Sequence, residues 1–128
     1  MLNLSPAPTE PTWIDLMEGV RLQIRPRSIV HILVSREAAG KAYIEERDAG
    51  LLDEASDLRA TTAMVIRYAR AVIADWSGIG DTNGDPAPVT PENVDALMAR
   101  WDAYERFDQL VFTPALNANA GQSVDAAA

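Results

Sequence analysis

Cysteine is absent from this sequence, and histidine occurs once, at His31. The absence of cysteine excludes disulfide bonds, thiolate metal sites and a cysteine nucleophile. No apolar run approaches the roughly 18 residues that a membrane-spanning helix needs. The opening segment, MLNLSPAPTEPTW, has neither the basic nor the apolar region of a secretory signal, so no such signal is expected.

Basic residues are also scarce, with 11 Lys and Arg against 19 Asp and Glu, which gives a net charge of −8. A strongly acidic chain is repelled by phosphate backbones and by anionic lipid. We therefore predict no nucleic-acid partner and no membrane partner, and a basic or apolar protein partner stays open.

The length and composition are those of a single globular domain. The chain has 128 residues, of which 48% are hydrophobic and 23% charged, as in ordinary soluble domains. We predict a flexible, proline-rich arm over residues 1–11, one domain over residues 12–116, and a disordered tail of small and polar residues over 117–128.

The first part of the domain alternates apolar and polar residues over 12–25, which predicts a β-hairpin that turns at MEG and ends at Pro26. Ser28 is a plausible N-cap for a helix over 28–47. That helix has only a rough apolar stripe, and Gly40 in its middle weakens it by about 1 kcal/mol relative to alanine. The residues of the stripe are Ile29, Ile32, Leu33, Ala39, Tyr43 and Ile44.

The second part of the domain has stronger helical signals. Apolar or small residues from Leu58 to Trp76 are spaced 4, 3, 4, 3 and 4 apart, which predicts a long helix over 53–75. The sequence Thr-Pro-Glu at 90–92 opens a further helix over 91–105. The segment FDQLVF at 107–112 is either helical or extended. The predicted fold is α+β and mainly α: an N-terminal β-hairpin followed by three main helices and a short C-terminal element.

One loop has part of a calcium-binding pattern. Asp81, Asn83, Asp85 and Glu92 stand at positions 1, 3, 5 and 12 of an EF-hand-like loop. Position 6, which needs glycine for its sharp turn, is Pro86. We therefore interpret the segment as a glycine and proline turn before a capped helix, with no ion bound. In this interpretation the segment reverses the chain and packs at both ends against the core.

The chain has little material for catalysis. His31 lies among apolar residues, and no G-x-S-x-G motif accompanies it, so it is predicted to be structural. An acidic band around the first interhelical turn could hold magnesium, but a solvated turn is the preferred interpretation; its residues are Glu45, Glu46, Asp48, Asp53, Glu54 and Asp57. We predict no enzyme, catalytic residue, metal or cofactor. A small metal-dependent hydrolase is the less favoured alternative, and it requires a cleft that gathers His31 with carboxylates.

Large apolar side chains are the candidates for partner binding. Tryptophans so widely separated in sequence favour core anchors, and the alternative is that one of them lines a groove. The candidate partner-binding residues are Trp13, Trp76, Trp101, Phe107, Leu110 and Phe112.

The order of these segments resembles a known family. A glycine followed by a strand that ends in Arg-Pro spans Gly19 to Pro26. A tryptophan, a glycine turn and a Thr-Pro-Glu helix start follow, at Trp76, Gly78, Gly84 and residues 90–92. Over most of the domain the chain is similar to the tail assembly chaperones of tailed bacteriophages and prophages.

The resemblance implies a non-enzymatic role in the host cytoplasm. Such chaperones bind the long helical tape-measure protein, keep it soluble and help tail-tube subunits assemble around it. The alternative is a structural virion component, such as a head–tail connector or a tail accessory protein. Self-association is a further option, through the apolar stripe of the helix predicted over 53–75.

Overall fold

The computed structural model describes residues 1–4, 6 and 9–118. Two strands, β1 (Thr12–Met17) and β2 (Val20–Ile24), precede two helices, α1 (Ile29–Asp48) and α2 (Ser56–Val72). Strand β3 (Ile73–Ser77) follows, and then α3 (Pro91–Met98) and α4 (Trp101–Phe107). A π-helical turn (Asp108–Phe112) and a last helical stretch over 113–118 continue α4. The predicted α+β, mainly α class with an N-terminal hairpin is confirmed.

The hairpin forms where the alternation predicts it. Gly19 has a φ of 78°, a left-handed conformation that glycine adopts without steric cost, and it makes the turn between β1 and β2. A bulge in β1 leaves Leu16 outside the ladder of paired residues. The Arg106 side chain donates from Nε to the Leu16 carbonyl oxygen at 2.9 Å, and this bond ties α4 to β1.

The third strand corrects the helix predicted over 53–75. The helix ends at Val72, and β3 pairs antiparallel with β2 so that Trp76 lies beside Leu22. The inner face of the sheet thereby gains a large apolar side chain. Val72 and Trp76 are four residues apart, which is also the spacing of a helical stripe, so the sequence predicted that the helix continues. The strand depends instead on pairing with β2, about 50 positions away in the sequence.

The junction between α2 and β3 is stabilised by an arginine from the hairpin. Arg25 Nη1 donates to the carbonyl oxygens of Ala71 and Ile73, at 3.0 and 3.1 Å. Carbonyls at the end of a helix lack partners within the helix, so a cation there is favourable.

Helices α1 and α2 form an antiparallel hairpin. Ser28 caps α1 by accepting a hydrogen bond from the Val30 backbone nitrogen. At the other end Gly50 has a φ of 72°, and the Leu51 nitrogen donates to the Glu46 carbonyl oxygen at 2.8 Å. This is the bonding pattern of a glycine-terminated helix, and it turns the chain into α2.

The last helical region is broken where one helix was predicted over 91–105. Thr90 caps α3 by accepting from the Asn93 nitrogen, and Pro91 occupies the first helical position, as predicted. The chain leaves the helix at Arg100, which is extended with φ −83° and ψ 129°, and α4 begins at the next residue. The segment 107–112, for which both a helix and a strand were considered, is helical. Phe107 ends α4, and Asp108–Phe112 form the π-helical turn.

The core lies between the inner face of the sheet and helices α2, α3 and α4. Its buried members include Leu16, Leu22, Val65, Tyr68, Val72, Val94, Met98, Phe107 and Phe112. The described residues of the predicted arm are exposed and outside regular structure. Of the predicted tail, residues 117 and 118 are helical, and residues 119–128 lie outside the described part of the chain.

Candidate partner-binding site

The six candidate partner-binding residues divide into two groups. Trp76, Phe107 and Phe112 are buried in the core. The Trp76 indole Nε1 donates to the Ala87 carbonyl oxygen at 2.7 Å, and Tyr68 makes ring contacts with both phenylalanines. The structure therefore places these three residues inside the molecule, where they hold the fold together.

Trp13, Trp101 and Leu110 are exposed. Trp13 lies on the outer face of the sheet, where the Arg21 guanidinium stacks over its ring at 5.4 Å from the centroid. Leu110 lies on the π turn and lines a cleft of about 420 Å³ together with Ile14, Ile24 and Val111. The structure does not bring the three exposed residues into one cluster on a single element.

Trp101 is the most exposed of the tryptophans, at 74%. It directly follows Arg100, which lines a second cleft of about 650 Å³ between the hairpin turn, the glycine-rich loop and α3. The apolar lining of this cleft consists of Met17, Val20, Ile79, Ala87, Ala96 and Leu97, and its polar lining includes Asp81 and Asn93. A cleft of this size with mainly apolar walls and a few polar groups is typical of a binding site.

The glycine-rich loop forms one wall of this cleft and is held by its own hydrogen bonds. Asp81 Oδ1 accepts from the backbone nitrogens of Asn83 and Asp85, at 2.8 and 3.1 Å. As predicted, both ends of the loop pack against the core, since Trp76 is buried and Val89 is half-buried against it. In the described part of the chain, no three His, Asp or Glu side chains are grouped so that they could hold a metal ion.

His31 has cationic neighbours. Burial lowers its pKa below the ordinary value, and the charges of Arg25 and Arg67 lower the pKa further. Its Nδ1 atom is buried and makes no hydrogen bond within the described residues. The charged groups that act on His31 are therefore arginines, whereas the hydrolase alternative requires carboxylates beside it.

Two carboxylates of the acidic band are held by one arginine. Arg59 donates to both carboxylate oxygens of Glu46, at 2.6 and 2.9 Å, and to Asp53 Oδ1 at 2.7 Å. These bonds hold the pKa of Glu46 and of Asp53 below their ordinary values. Ser56, which is buried, donates to Glu46 at 3.0 Å. The network joins α1 to α2, which gives these two carboxylates a structural role.

One surface of α1 was not predicted from the sequence. The rough stripe predicted there divides in the structure, because Ile32 is buried whereas Ile29, Leu33 and Ile44 are exposed. We call the exposed side, formed by Ile29, Leu33, Gly40 and Ile44, the outer face of α1. Apolar residues around the whole circumference of a helix are the signal that could have revealed it.

Comparison with known protein families gives a match. The family model described as the YdaY prophage protein matches residues 31–128, which is 98 of the 128 residues. The chain belongs to the YdaY prophage protein family. The match begins within α1, so the β1–β2 hairpin lies outside the region that is shared with the YdaY family model.

Further comparisons gave no match. No curated protein and no solved structure is significantly similar to this member of the YdaY family. Among the described residues, no helix has both the length and the apolar character to cross a membrane.

Proposed function

We propose that this YdaY-family protein is a non-enzymatic tail assembly chaperone that binds the prophage's tape-measure protein in the host cytoplasm. Membership of a prophage family supports the viral context. The sequence features that resemble tail assembly chaperones include Gly19, Gly78 and Thr90, and each has a definite structural role at a turn or a helix cap.

The observation that carries the proposal is an exposed tryptophan that directly follows a residue of an apolar cleft. Trp101 is 74% exposed at the start of α4, and the preceding residue, Arg100, lines the cleft of about 650 Å³ together with Leu97 and Ile79. Tryptophan is enriched among the residues that dominate binding energies. A tape-measure protein is a long helical client, and its apolar side chains are suitable occupants of such a cleft.

The charge of the chain is consistent with a solubilising role. A net charge of −8 on a bound chaperone adds mutual repulsion between complexes and keeps an otherwise apolar client dispersed.

The proposal is tested by co-expression with the tape-measure protein from the same prophage, followed by affinity capture and measurement of the dissociation constant. Trp101→Ala should weaken binding about 30-fold, which corresponds to about 2 kcal/mol at a binding hot spot. Because Trp101 is exposed, thermal unfolding of the variant should match that of the wild type.

Trp13→Ala is the matched control, because it removes the same side chain from an exposed position on the outer face of the sheet. We expect it to leave the dissociation constant unchanged within a few-fold. Equal binding by wild type and Trp101→Ala would place the client elsewhere, and no capture by the wild type would contradict the proposed function itself.

A further inference from the structure

The outer face of α1 is an apolar surface that the rest of the described chain leaves uncovered. Ile29, Leu33 and Ile44 are 63, 50 and 45% exposed, and α1 packs mainly against α2 through its other side. Steps of 4, 7 and 4 residues from Ile29 through Leu33 and Gly40 to Ile44 keep all four within about 60° around the helix. The face is about 22 Å long, since each residue advances about 1.5 Å.

Gly40 in the middle of this face is not required by the fold of one chain. It lies within the regular helix without a positive φ, and a Cβ atom added there would meet nothing within 4 Å. Glycine inside a helix weakens it, whereas at a helix–helix contact it allows two backbones to approach closely. Its position among exposed apolar residues therefore points to a second helix packed on this face.

The charged residues beside the face are arranged so that a second copy of α1 complements them. Arg36 and Glu37 lie halfway along the face, about 50° around the helix to either side of its centre line. Both side chains are exposed. If two copies of α1 pack in parallel about a two-fold axis, Arg36 of each copy lies beside Glu37 of the other, on both edges. In an antiparallel pair Arg36 would lie beside Arg36 and Glu37 beside Glu37, which is unfavourable.

The local charge balance also permits self-association of an acidic chain. The exposed charges along α1 include three cations and three anions: Arg36, Lys41, Arg47, Glu37, Glu45 and Asp48. The net charge of −8 is therefore carried largely by other parts of the molecule. We propose that two copies of this chain associate in parallel through the outer face of α1, with Gly40 against Gly40 and Leu33 against Leu33.

The inference is independent of the proposed chaperone function and is tested on the purified chain alone. Sedimentation equilibrium should show a concentration-dependent dimer, and Leu33→Asp should raise its dissociation constant at least about tenfold. Leu58→Asp is the matched control, because Leu58 is also an exposed leucine, at 69%, on α2 outside the face, and this variant should dimerise like the wild type.

The parallel orientation has its own test, since the chain contains no cysteine and a single one can be introduced. Arg47 lies three residues beyond Ile44 on the same face, and Glu45 points well away from it. With a short bis-maleimide, Arg47→Cys should give covalent dimer rapidly, and Glu45→Cys should give little. In the same way, Arg36→Glu should weaken the dimer, and adding Glu37→Arg should restore it.

A monomer at every concentration, or equal crosslinking of the two cysteine variants, would overturn the proposal. So would a Leu33→Asp variant that keeps the wild-type mass but no longer captures the tape-measure protein, because the face would then belong to the client. Trp101→Ala should leave dimerisation unchanged, so failure of the dimer and failure of client binding are separate results.

Discussion

Gly78 occupies a position where a side chain fits only if the hairpin turn moves. Its φ is 82°, and a Cβ atom there would overlap the carbonyl oxygen of Gly19 in the hairpin turn. Gly84 has nearly the same φ, 83°, but its Cβ would meet nothing within 4 Å. Substitutions at these two glycines therefore distinguish the energetic cost of a left-handed backbone from the cost of a steric overlap.

We expect Gly84→Ala to lower the free energy of unfolding by about 1–2 kcal/mol, the cost of the left-handed backbone. Gly78→Ala should lower it by about 1–3 kcal/mol more, because the hairpin turn must move to accommodate the methyl group. Urea denaturation of the two variants checks this, and equal losses would mean that the close approach of the two turns does not matter for stability.

His31 gives the protein a pH response that can be assigned to one residue. Its pKa in the folded protein is lowered by burial and then by Arg25 and Arg67, so the unfolded chain binds a proton more readily. The contribution of neutral His31 to the free energy of unfolding is therefore fully present above the ordinary pKa of 6.5. This contribution is lost as the pH falls from that value through the lowered folded-state pKa.

We expect the melting temperature of the wild type to fall between about pH 7.5 and about pH 5.5, where histidine titrates. His31→Gln, which cannot be protonated there, should show a flatter profile. Differential scanning fluorimetry at constant ionic strength measures both, and a variant with an unchanged slope would assign the response to other groups.

At the level of elements, the connection from β3 to α3 depends on the Trp76 indole. The bond from its Nε1 atom to the Ala87 carbonyl oxygen fixes the glycine and proline loop across the sheet. Trp76→Phe keeps an aromatic ring but leaves this carbonyl without its donor, so we expect a loss of about 1–3 kcal/mol in the free energy of unfolding.

Trp101→Phe is the comparison for this prediction, since Trp101 is exposed and should tolerate the change within about 0.5 kcal/mol. Thermal and chemical unfolding of both variants measure the difference. A Trp76→Phe protein as stable as the wild type would show that packing alone holds the loop.

Local patterns predicted the elements that depend on local physics. The hairpin follows from alternation around Gly19, and α3 from the capping threonine and the proline of the Thr-Pro-Glu start. β3 was missed because it exists through pairing with β2, which no window around Trp76 contains. The break at Arg100 was missed because the apolar spacing from Val94 through Met98 to Trp101 and Tyr104 continues a helical stripe across it. Met98 and Phe107 are nine residues apart and would lie on opposite sides of one continuous helix, yet both are buried in the core.

The candidate site was predictable only in part. Residue type drew attention to Trp101, and the structure shows that this side chain is exposed after the break before α4. The same reasoning selected Trp76, Phe107 and Phe112, whose burial is decided by tertiary packing. The outer face of α1 was not predicted because a helix with apolar residues on two sides has no distinct hydrophobic periodicity.

At the scale of the whole molecule, the proposed role predicts where the protein is found. A chaperone acts during tail assembly and leaves, whereas a structural virion component stays. In quantitative mass spectrometry of purified particles from the induced prophage, we expect this chain to be depleted relative to the tail-tube subunit and present in the lysate. Stoichiometric retention in particles would favour the structural alternative.

The chaperone role is tested most simply by the solubility of the tape-measure protein when it is expressed with and without this chain. We expect the tape-measure protein to pellet when expressed alone and to move to the soluble fraction, in complex with this chain, when both are expressed. A tape-measure protein that is equally soluble and unbound in both cases would contradict it.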